Sequence, residues 1–330
     1  MALRISLAVA VLALSGLRAH AQSCQTSGDM DAATRTAVTA AGQHFFGMAV
    51  AGDTAGLRQN SIAGLASDFS GIESAVHERQ ADLAGATGAV KSVFLLEAEG
   101  KDSVPHAEFF CGVFGKNGQT PGSAAFVFDN LPPGKYAVAI LDASSAKART
   151  SFSVILQLVG TDWKLAGLDV APAQIAGHDG DWYTARAREY KTKGQMLNAW
   201  LFYLQARRLL SPLSFMSTMA TDRLYDEFQT AQPADFPSGG KTSNLTAGAA
   251  TYKLTALFAA AVGNDLDLIV KYEAADISNT NQAYQNNVAV MTALMAKYPE
   301  LRGVFAGVVA RAVDPSGRDY GTLLAMKDIK

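Results

Sequence analysis

The chain has 330 residues, enough for two or three domains, because single hydrophobic cores stop growing near about 250–300 residues. Apolar residues make up 49% of it and charged residues 18%, which predicts a packed globular protein and excludes wholesale disorder. The formal net charge of −2 supplies no basic face for a nucleic acid, so we predict no nucleic-acid partner.

The first 21 residues have the form of a secretory signal peptide. Arg4 precedes an apolar run over residues 5–14, and Ala19-His20-Ala21 matches the small-x-small pattern of a signal peptidase site. The run is too short to span a bilayer, and no longer uninterrupted apolar stretch follows. The sequence therefore predicts cleavage after Ala21, a secreted or periplasmic mature protein, and no membrane span.

Cys24 and Cys111 are the two cysteines of the chain. In an oxidising compartment an isolated pair favours a disulfide, which would tie the new N-terminus to an apolar, strand-like segment. Two alternatives stay open, namely unpaired thiols and lipidation of Cys24. The residues before Cys24, Ala21-Gln22-Ser23, make a poor lipidation signal.

The residues after the cleavage site predict three helices followed by strands. Apolar residues recur at helical intervals over residues 29–51, 53–62 and 67–83, with Asp29 or Asp31 available to cap the first helix. After Gly88 the apolar period changes to two. We predict six strands, at residues 90–96, 106–113, 124–128 and 136–141 and in the two arms of a hairpin over residues 151–170. The turn of that hairpin is assigned to Gly160-Thr161-Asp162.

Helices followed by a long antiparallel sheet predict an α+β fold, with the helices on one face of a curved sheet. Within a predicted domain of residues 22–172, residues of about 29–172 resemble the nuclear transport factor 2-like superfamily, the cone-shaped fold shared with ketosteroid isomerase. The resemblance rests on the three opening helices and on the closing hairpin VILQLVGTDWKLAGLDV. It implies a hollow cone with a pocket between the sheet and the helices.

A second resemblance competes with the first. The segment Asp129-Asn130-Leu131-Pro132-Pro133-Gly134-Lys135-Tyr136 is similar to the "LPPGKY" turn of secreted prealbumin-like β-sandwiches. Three preceding helices do not fit that fold, so it is the alternative.

Residues 173–232 predict a helical segment. Small and aromatic residues there resemble one tetratricopeptide repeat, and Pro212 stops its second helix. The positions that carry this resemblance are Ala187, Tyr190, Gly194, Ala199, Tyr203 and Ala206. One repeat cannot bury its own face, which favours a helical hairpin packed on its neighbours over a peptide-binding array. A third helix is predicted over residues 214–229.

A linker rich in proline and glycine begins at Pro233. Residues 233–330 then predict a small ββαββ domain. Its strands are assigned to residues 252–262, 266–272, 304–313 and 318–326, and its helix to residues 281–298. This domain resembles no family.

The chain has no Gly-x-Ser-x-Gly elbow, His-Glu-x-x-His helix or calcium loop. Its histidines are dispersed, so we predict no metal, and no motif predicts a cofactor. The cone-shaped resemblance implies an acid and a hydrogen-bond donor in an apolar pocket. Candidates are His44, Tyr136 and Asp142, with Glu97 and Asp169 at strand ends as weaker ones. The alternative is that His44 and Tyr136 pack in the core and the acids are solvated.

A second polar cluster surrounds the turn before the last strand. Five residues crowd this window: Arg311, Asp314, Arg318, Asp319 and Tyr320. Its arginines could contact a carboxylate on a partner, which would make the cluster a recognition patch. Alternatively, Arg311 pairs with Asp314 or Asp319 within the hairpin, which contributes little when the pair is exposed.

Three functions are consistent with these patterns. The first is a non-enzymatic exported binding or scaffold protein, with a small apolar ligand in the cone or a protein partner on the helices. The second is an isomerase- or hydratase-like enzyme. The third is an envelope protein that assembles with itself.

Overall fold

The computed structural model describes residues 22–116, 118–237 and 240–330, so the predicted signal peptide lies outside the described residues. The first half of the chain forms helices and three antiparallel sheets, the smallest being a two-stranded hairpin. Its elements are β1 (Gln22–Thr26), α1 (Ala32–Ala51), α2 (Thr54–Gln59), α3 (Ala63–Ser67), α4 (Ser70–Leu83), β2 (Thr87–Ala98), β3 (Val104–Cys111), β4 (Phe114–Gly115), β5 (Gly118–Gln119), β6 (Ala124–Leu131), β7 (Gly134–Ser144), β8 (Arg149–Val159) and β9 (Asp162–Pro172).

The opening helices follow the sequence signals closely. Asp31 caps α1 by accepting a hydrogen bond from the Thr34 amide at 2.8 Å, and Gly52 ends the helix at φ 69°. The sequence predicts two helices over residues 53–83, whereas the structure has three, because an additional short helix, α3, forms at Ala63–Ser67. The first half therefore has four helices where the sequence predicts three.

The first sheet has five antiparallel strands in the order β1-β2-β7-β8-β9. One face, the helix face, packs against α1 and α4 through Val38, Phe45, Val154 and other buried residues. At Gly42 an added Cβ would lie 2.9 Å from the Ala139 Cβ, so this glycine allows α1 to approach the sheet.

The hairpin of β8 and β9 forms as predicted, with a tighter turn. Val159 pairs with Asp162, so two residues, Gly160 and Thr161, make the connection, and Gly160 adopts φ 63°. A register shift between Ile155 and Leu156 places an extra residue in β9. This bulge explains why Leu165 and Leu168, three residues apart, both reach the core of the helix face.

The remaining strands of the first half do not extend the first sheet. β3 and β6 pair with each other in a second sheet that packs on the opposite face of the first, which we call the strand face. The single curved sheet predicted from the sequence is thus divided into two layers. The reason is that β2 and β7 are apolar on both faces, as in the continuous runs at residues 93–96 and 136–141. Strands buried on both sides require a second covering layer.

The second half adds helices and a third sheet. Its elements are α5 (Gly180–Thr192), α6 (Met196–Leu210), β10 (Met216–Thr218), α7 (Met219–Gln229), β11 (Ser243–Ala247), β12 (Ala250–Val262), β13 (Asp265–Glu273), α8 (Thr280–Lys297), β14 (Gly307–Val313) and β15 (Asp319–Ala325). Short 3-10 turns lie at Pro299–Gly303 and Met326–Asp328. The predicted third helix begins later, at Met219, because β10 pairs with β6 in the second sheet.

The third sheet has the order β11-β12-β13-β14-β15. The predicted ββαββ pattern is present over β12 to β15, and β11 adds a strand in front of it. β13 and β14 are parallel, and α8 connects them. Buried residues of α5 to α7 and of the third sheet form one hydrophobic core, which includes Ala187, Tyr203, Leu224, Leu268 and Val308.

Candidate functional site

The three residues proposed for acid–base chemistry lie far apart. His44 is exposed on the outer surface of α1, whereas Tyr136 and Asp142 are on the strand face of β7. Tyr136 and Asp142 are six residues apart on this strand, so their backbones are separated by roughly 20 Å. Asp142 is largely exposed and lies 3.4 Å from the Lys91 ammonium. The structure therefore does not bring His44, Tyr136 and Asp142 together.

The two weaker acids differ in their surroundings. Glu97 forms an ion pair with Lys135 at 2.7 Å, at the far end of the β2–β7 pair. Asp169 lines a cavity, and burial raises the pKa of its carboxyl, with Arg79 acting in the opposite direction. The Asp169 side chain is nevertheless exposed to solvent, so it lies at the rim of that cavity.

The predicted disulfide is present. Cys24 of β1 and Cys111 of β3 are joined, with their Cα atoms 4.7 Å apart. The bond links the edge of the first sheet to the second sheet, so it fastens the two layers together as well as the N-terminus. Both cysteines are consumed in it.

The charged side chains of the hairpin near the C-terminus pair with one another. Arg318 donates to the Asp314 carboxylate from Nε at 2.9 Å and from Nη2 at 2.6 Å. Arg311 pairs with Asp319 at 2.5 Å, and the Tyr320 carbonyl accepts from Asn287 on α8. Both arginines therefore have a carboxylate partner within the hairpin. The Arg311–Asp319 pair is one that the alternative interpretation names, whereas the Arg318–Asp314 pair was not predicted.

A cavity of about 470 Å³ lies on the strand face along β8 and β9 and extends round the β9 edge to Ile72 of α4 and Leu168 of the helix-face core. We call it the apolar cavity. Its wall is formed mainly by Ile72, Phe128, Ile155, Leu168, Leu213 and Phe215. Gly167 forms part of it without a side chain, and Ile155 packs so closely over Gly167 that an added Cβ would lie 3.1 Å from Ile155 Cδ1. This size and lining are typical of small-molecule sites.

A few polar groups enter the apolar cavity. The Tyr136 hydroxyl donates to the Pro132 carbonyl at 2.8 Å and accepts from the Gln157 amide at 3.3 Å. Burial raises the pKa of Tyr136, so its phenol stays protonated at neutral pH. Asp169 provides the carboxylate of this lining.

Tyr136 and Asp169 do not form an acid–donor pair. Tyr136 is opposite Gln157 and Asp169 is opposite Ser153, so the register separates them by four residues along β8 and by two strand spacings across it. Their backbones are therefore about 16 Å apart, while joint acid–base work needs hydrogen-bond reach to the same reacting group. Tyr136 and Asp169 are therefore not placed to act on the same reacting atom.

A second depression, of about 510 Å³, lies at the other end of the strand face. We call it the charged cleft, because Lys91, Asp142, Arg149, Asp179 and Asp181 line it. A bulge between Val90 and Ser92 interrupts the pairing of β2 and β7 at Lys91. The floor contains Phe94, Ile140 and Ser151.

Sequence patterns identified Tyr136 and Asp169 but missed the residues that make the cavity. Ile155, Phe128 and Phe215 come from three distant segments, and each looks like an ordinary core residue in its own strand or loop. The departure of Leu165 and Leu168 from period two was an available signal for the bulge beside the cavity.

The described residues contain no group of three or more His, Cys, Asp or Glu side chains placed to hold a metal ion. In the same part of the chain, no helix is long and apolar enough to cross a membrane. The fold is that of a mixed α+β protein with several antiparallel sheets. No protein-family model, curated protein or solved structure matches the chain.

Proposed function

We propose that this protein is an exported, non-enzymatic binding protein that holds a small, mostly apolar molecule in the apolar cavity. The observation that carries the proposal is the cavity itself, which combines an apolar wall with Tyr136, Gln157 and Asp169 as isolated polar groups. Export is supported by the signal-peptide pattern of residues 1–21 and by the disulfide, which is typical of oxidising compartments.

Two features favour a small molecule over a protein partner on the helical segment. The residues of α5 and α6 that resemble a tetratricopeptide repeat, such as Ala187, Ala199 and Tyr203, are buried in the core shared with the third sheet. That surface is therefore occupied by the chain itself. The kinship with nuclear transport factor 2-like proteins remains a proposal, supported by helices over a five-stranded antiparallel sheet. Self-assembly stays a separate prediction.

The proposal predicts saturable binding of an apolar fluorescent probe. N-phenyl-1-naphthylamine, titrated into the purified protein, is expected to bind at one site with enhanced fluorescence. Ile155→Phe fills part of the cavity and is expected to weaken binding by about tenfold, the equivalent of about 1.4 kcal/mol. Ala166→Leu, on the β9 bulge, serves as a second filling variant.

The matched control is Val159→Phe, which enlarges a β-branched residue of the same strand where the side chain is 49% exposed. It is expected to leave probe binding unchanged. Circular dichroism establishes that each variant is folded. Absence of saturable binding, or equal weakening by the cavity and control variants, would refute the proposed site.

A further inference from the structure

A short connection separates the apolar cavity from the charged cleft. Residues 211–215, which we call the strap, run from the end of α6 to β10 across the strand face of the first sheet. Leu213 and Phe215 line the cavity on one side, and Pro212 lines the cleft on the other. The two depressions are thus neighbours on one sheet face, divided by one segment of chain.

Ser153 lies on β8 between the two depressions. Two residues away on one side, Ser151 lines the cleft, and two residues away on the other, Ile155 lines the cavity. Ser153 is fully buried, and its hydroxyl has no hydrogen-bond partner. A buried hydroxyl without a partner is uncommon and unfavourable, which indicates a position that a ligand's polar group or water reaches.

The strap is held by side-chain packing and by backbone hydrogen bonds to the Leu213 and Phe215 carbonyls. Leu213 is 3% exposed and belongs to the buried cluster that contains Val138 and Ile140 of β7. Phe215 O accepts a hydrogen bond from the Val127 amide at 3.0 Å and so ties the end of the strap to the second sheet. Displacement of Leu213 would break its buried packing and the 3.3 Å hydrogen bond from the Met216 amide to its carbonyl, but no strand pairing.

The cleft contains a cation, Arg149, and an anion, Asp181, that no charged side chain of the cleft neutralises. Lys91 lies against Asp142, and the Asp179 carboxylate caps α5 by accepting from the Trp182 amide at 3.0 Å. Arg149 and Asp181 form no ion pair with any residue in the described part of the chain. A head group carrying both a cation and an anion matches this arrangement.

We propose that the apolar cavity and the charged cleft are two halves of one groove beneath the strap, and that its ligand is a single-chain zwitterionic amphiphile. The tail occupies the cavity, the linking polar atoms reach Ser153, and the head group lies in the cleft with its anion at Arg149 and its cation at Asp181. This inference rests on the proposed function, because it names the class of molecule that the cavity binds.

Dodecylphosphocholine below its micellar concentration is the test ligand, and its displacement of N-phenyl-1-naphthylamine is the measurement. The wild-type protein is expected to release the probe as the amphiphile binds, and dodecanol, which lacks the charged head, to bind about tenfold more weakly. Arg149→Ala and Asp181→Asn are each expected to weaken dodecylphosphocholine by about tenfold and to leave the probe affinity unchanged. Ala166→Leu is expected to weaken both ligands.

Lys101→Ala is the control, since it removes one exposed positive charge beyond the far end of β2, roughly 20 Å or more from Lys91. It is expected to change neither affinity. If Arg149→Ala matches this control, if dodecanol binds as tightly as dodecylphosphocholine, or if the amphiphile binds without displacing the probe, the single groove is refuted while probe binding still upholds the proposed function. If the probe itself does not bind, both conclusions fall.

Discussion

A single carboxylate, Asp314, organises the turn between β14 and β15. It accepts hydrogen bonds from the Ser316 amide and hydroxyl, at 2.9 and 2.6 Å, and from the Arg318 amide and guanidinium. The Ser316 hydroxyl and then Arg318 lower the pKa of the Asp314 carboxyl from 3.8 to about 2, against the effect of burial. A residue singled out for recognition therefore has a local structural role.

This shift predicts a pH-dependent contribution to stability. Because the folded-state pKa of Asp314 is below the unfolded one, the stabilisation is present above about pH 4 and is lost as the pH falls toward 2. Asp314→Asn is expected to lower the urea midpoint of unfolding at pH 7 and to match the wild type near pH 2. The control is Asp328→Asn, whose carboxyl has no bond in the turn. A difference between wild type and Asp314→Asn that persists unchanged at pH 2 would contradict this account.

Among elements, β1 depends most on a covalent link. It is a five-residue edge strand, and Cys24 at its centre joins it to Cys111 of the second sheet. The two cysteines are 87 residues apart, so on the chain-entropy model the bond is worth about 4–5 kcal/mol.

We expect Cys24→Ala/Cys111→Ala to lower the free energy of unfolding by about that amount, measured by urea titration. Amide hydrogen exchange of residues 22–26 is expected to accelerate more than exchange in β7 or β8, because β1 is at the edge of its sheet. Wild-type protein reduced with dithiothreitol is the control and is expected to behave like the double variant. A loss below about 1 kcal/mol would show that β1 and β3 are held by packing alone.

For the whole molecule, the main feature is how the hydrophobic cores are divided. One core joins α5, α6 and α7 to the third sheet, and a separate core lies between α1, α4 and the helix face of the first sheet. The predicted boundary near residue 233 therefore crosses a continuous core. The division into segments 173–232 and 233–330 stays a prediction. Because the two segments share one hydrophobic core, we expect the stability of each to depend on the other.

Two matched substitutions test this dependence by hydrogen exchange. Leu268 and Leu141 are both fully buried strand leucines, in β13 and β7. Truncation of either to alanine is expected to cost about 2–5 kcal/mol. Leu268→Ala is expected to reduce protection in α6 together with the third sheet, and Leu141→Ala in α1 and the first sheet. If Leu268→Ala left α6 fully protected, the helices and the third sheet would be independent units.

The sequence by itself determined the local elements. Period-two apolar spacing located β2, β3, β6, β7 and the β8–β9 hairpin. Asp29 or Asp31 was the predicted cap of α1, and the single pair of cysteines favoured the disulfide. The strands and the helix cap depend on residues that are neighbours in sequence, and the disulfide depends on the two cysteines of the chain. These features can therefore be inferred from the sequence directly.

Only the tertiary structure decided how the strands divide into layers and where the cavity lies. An apolar residue such as Ile155 has the same local pattern whether it faces a packed layer or an open cavity. Which of these it meets depends on the strap, about 60 residues later in the chain. For the same reason the sequence suggested Tyr136, Asp142 and His44 as one site, whereas strand register and sheet faces keep them apart. Packing between distant segments is set by the summed burial of many side chains, which no local pattern contains.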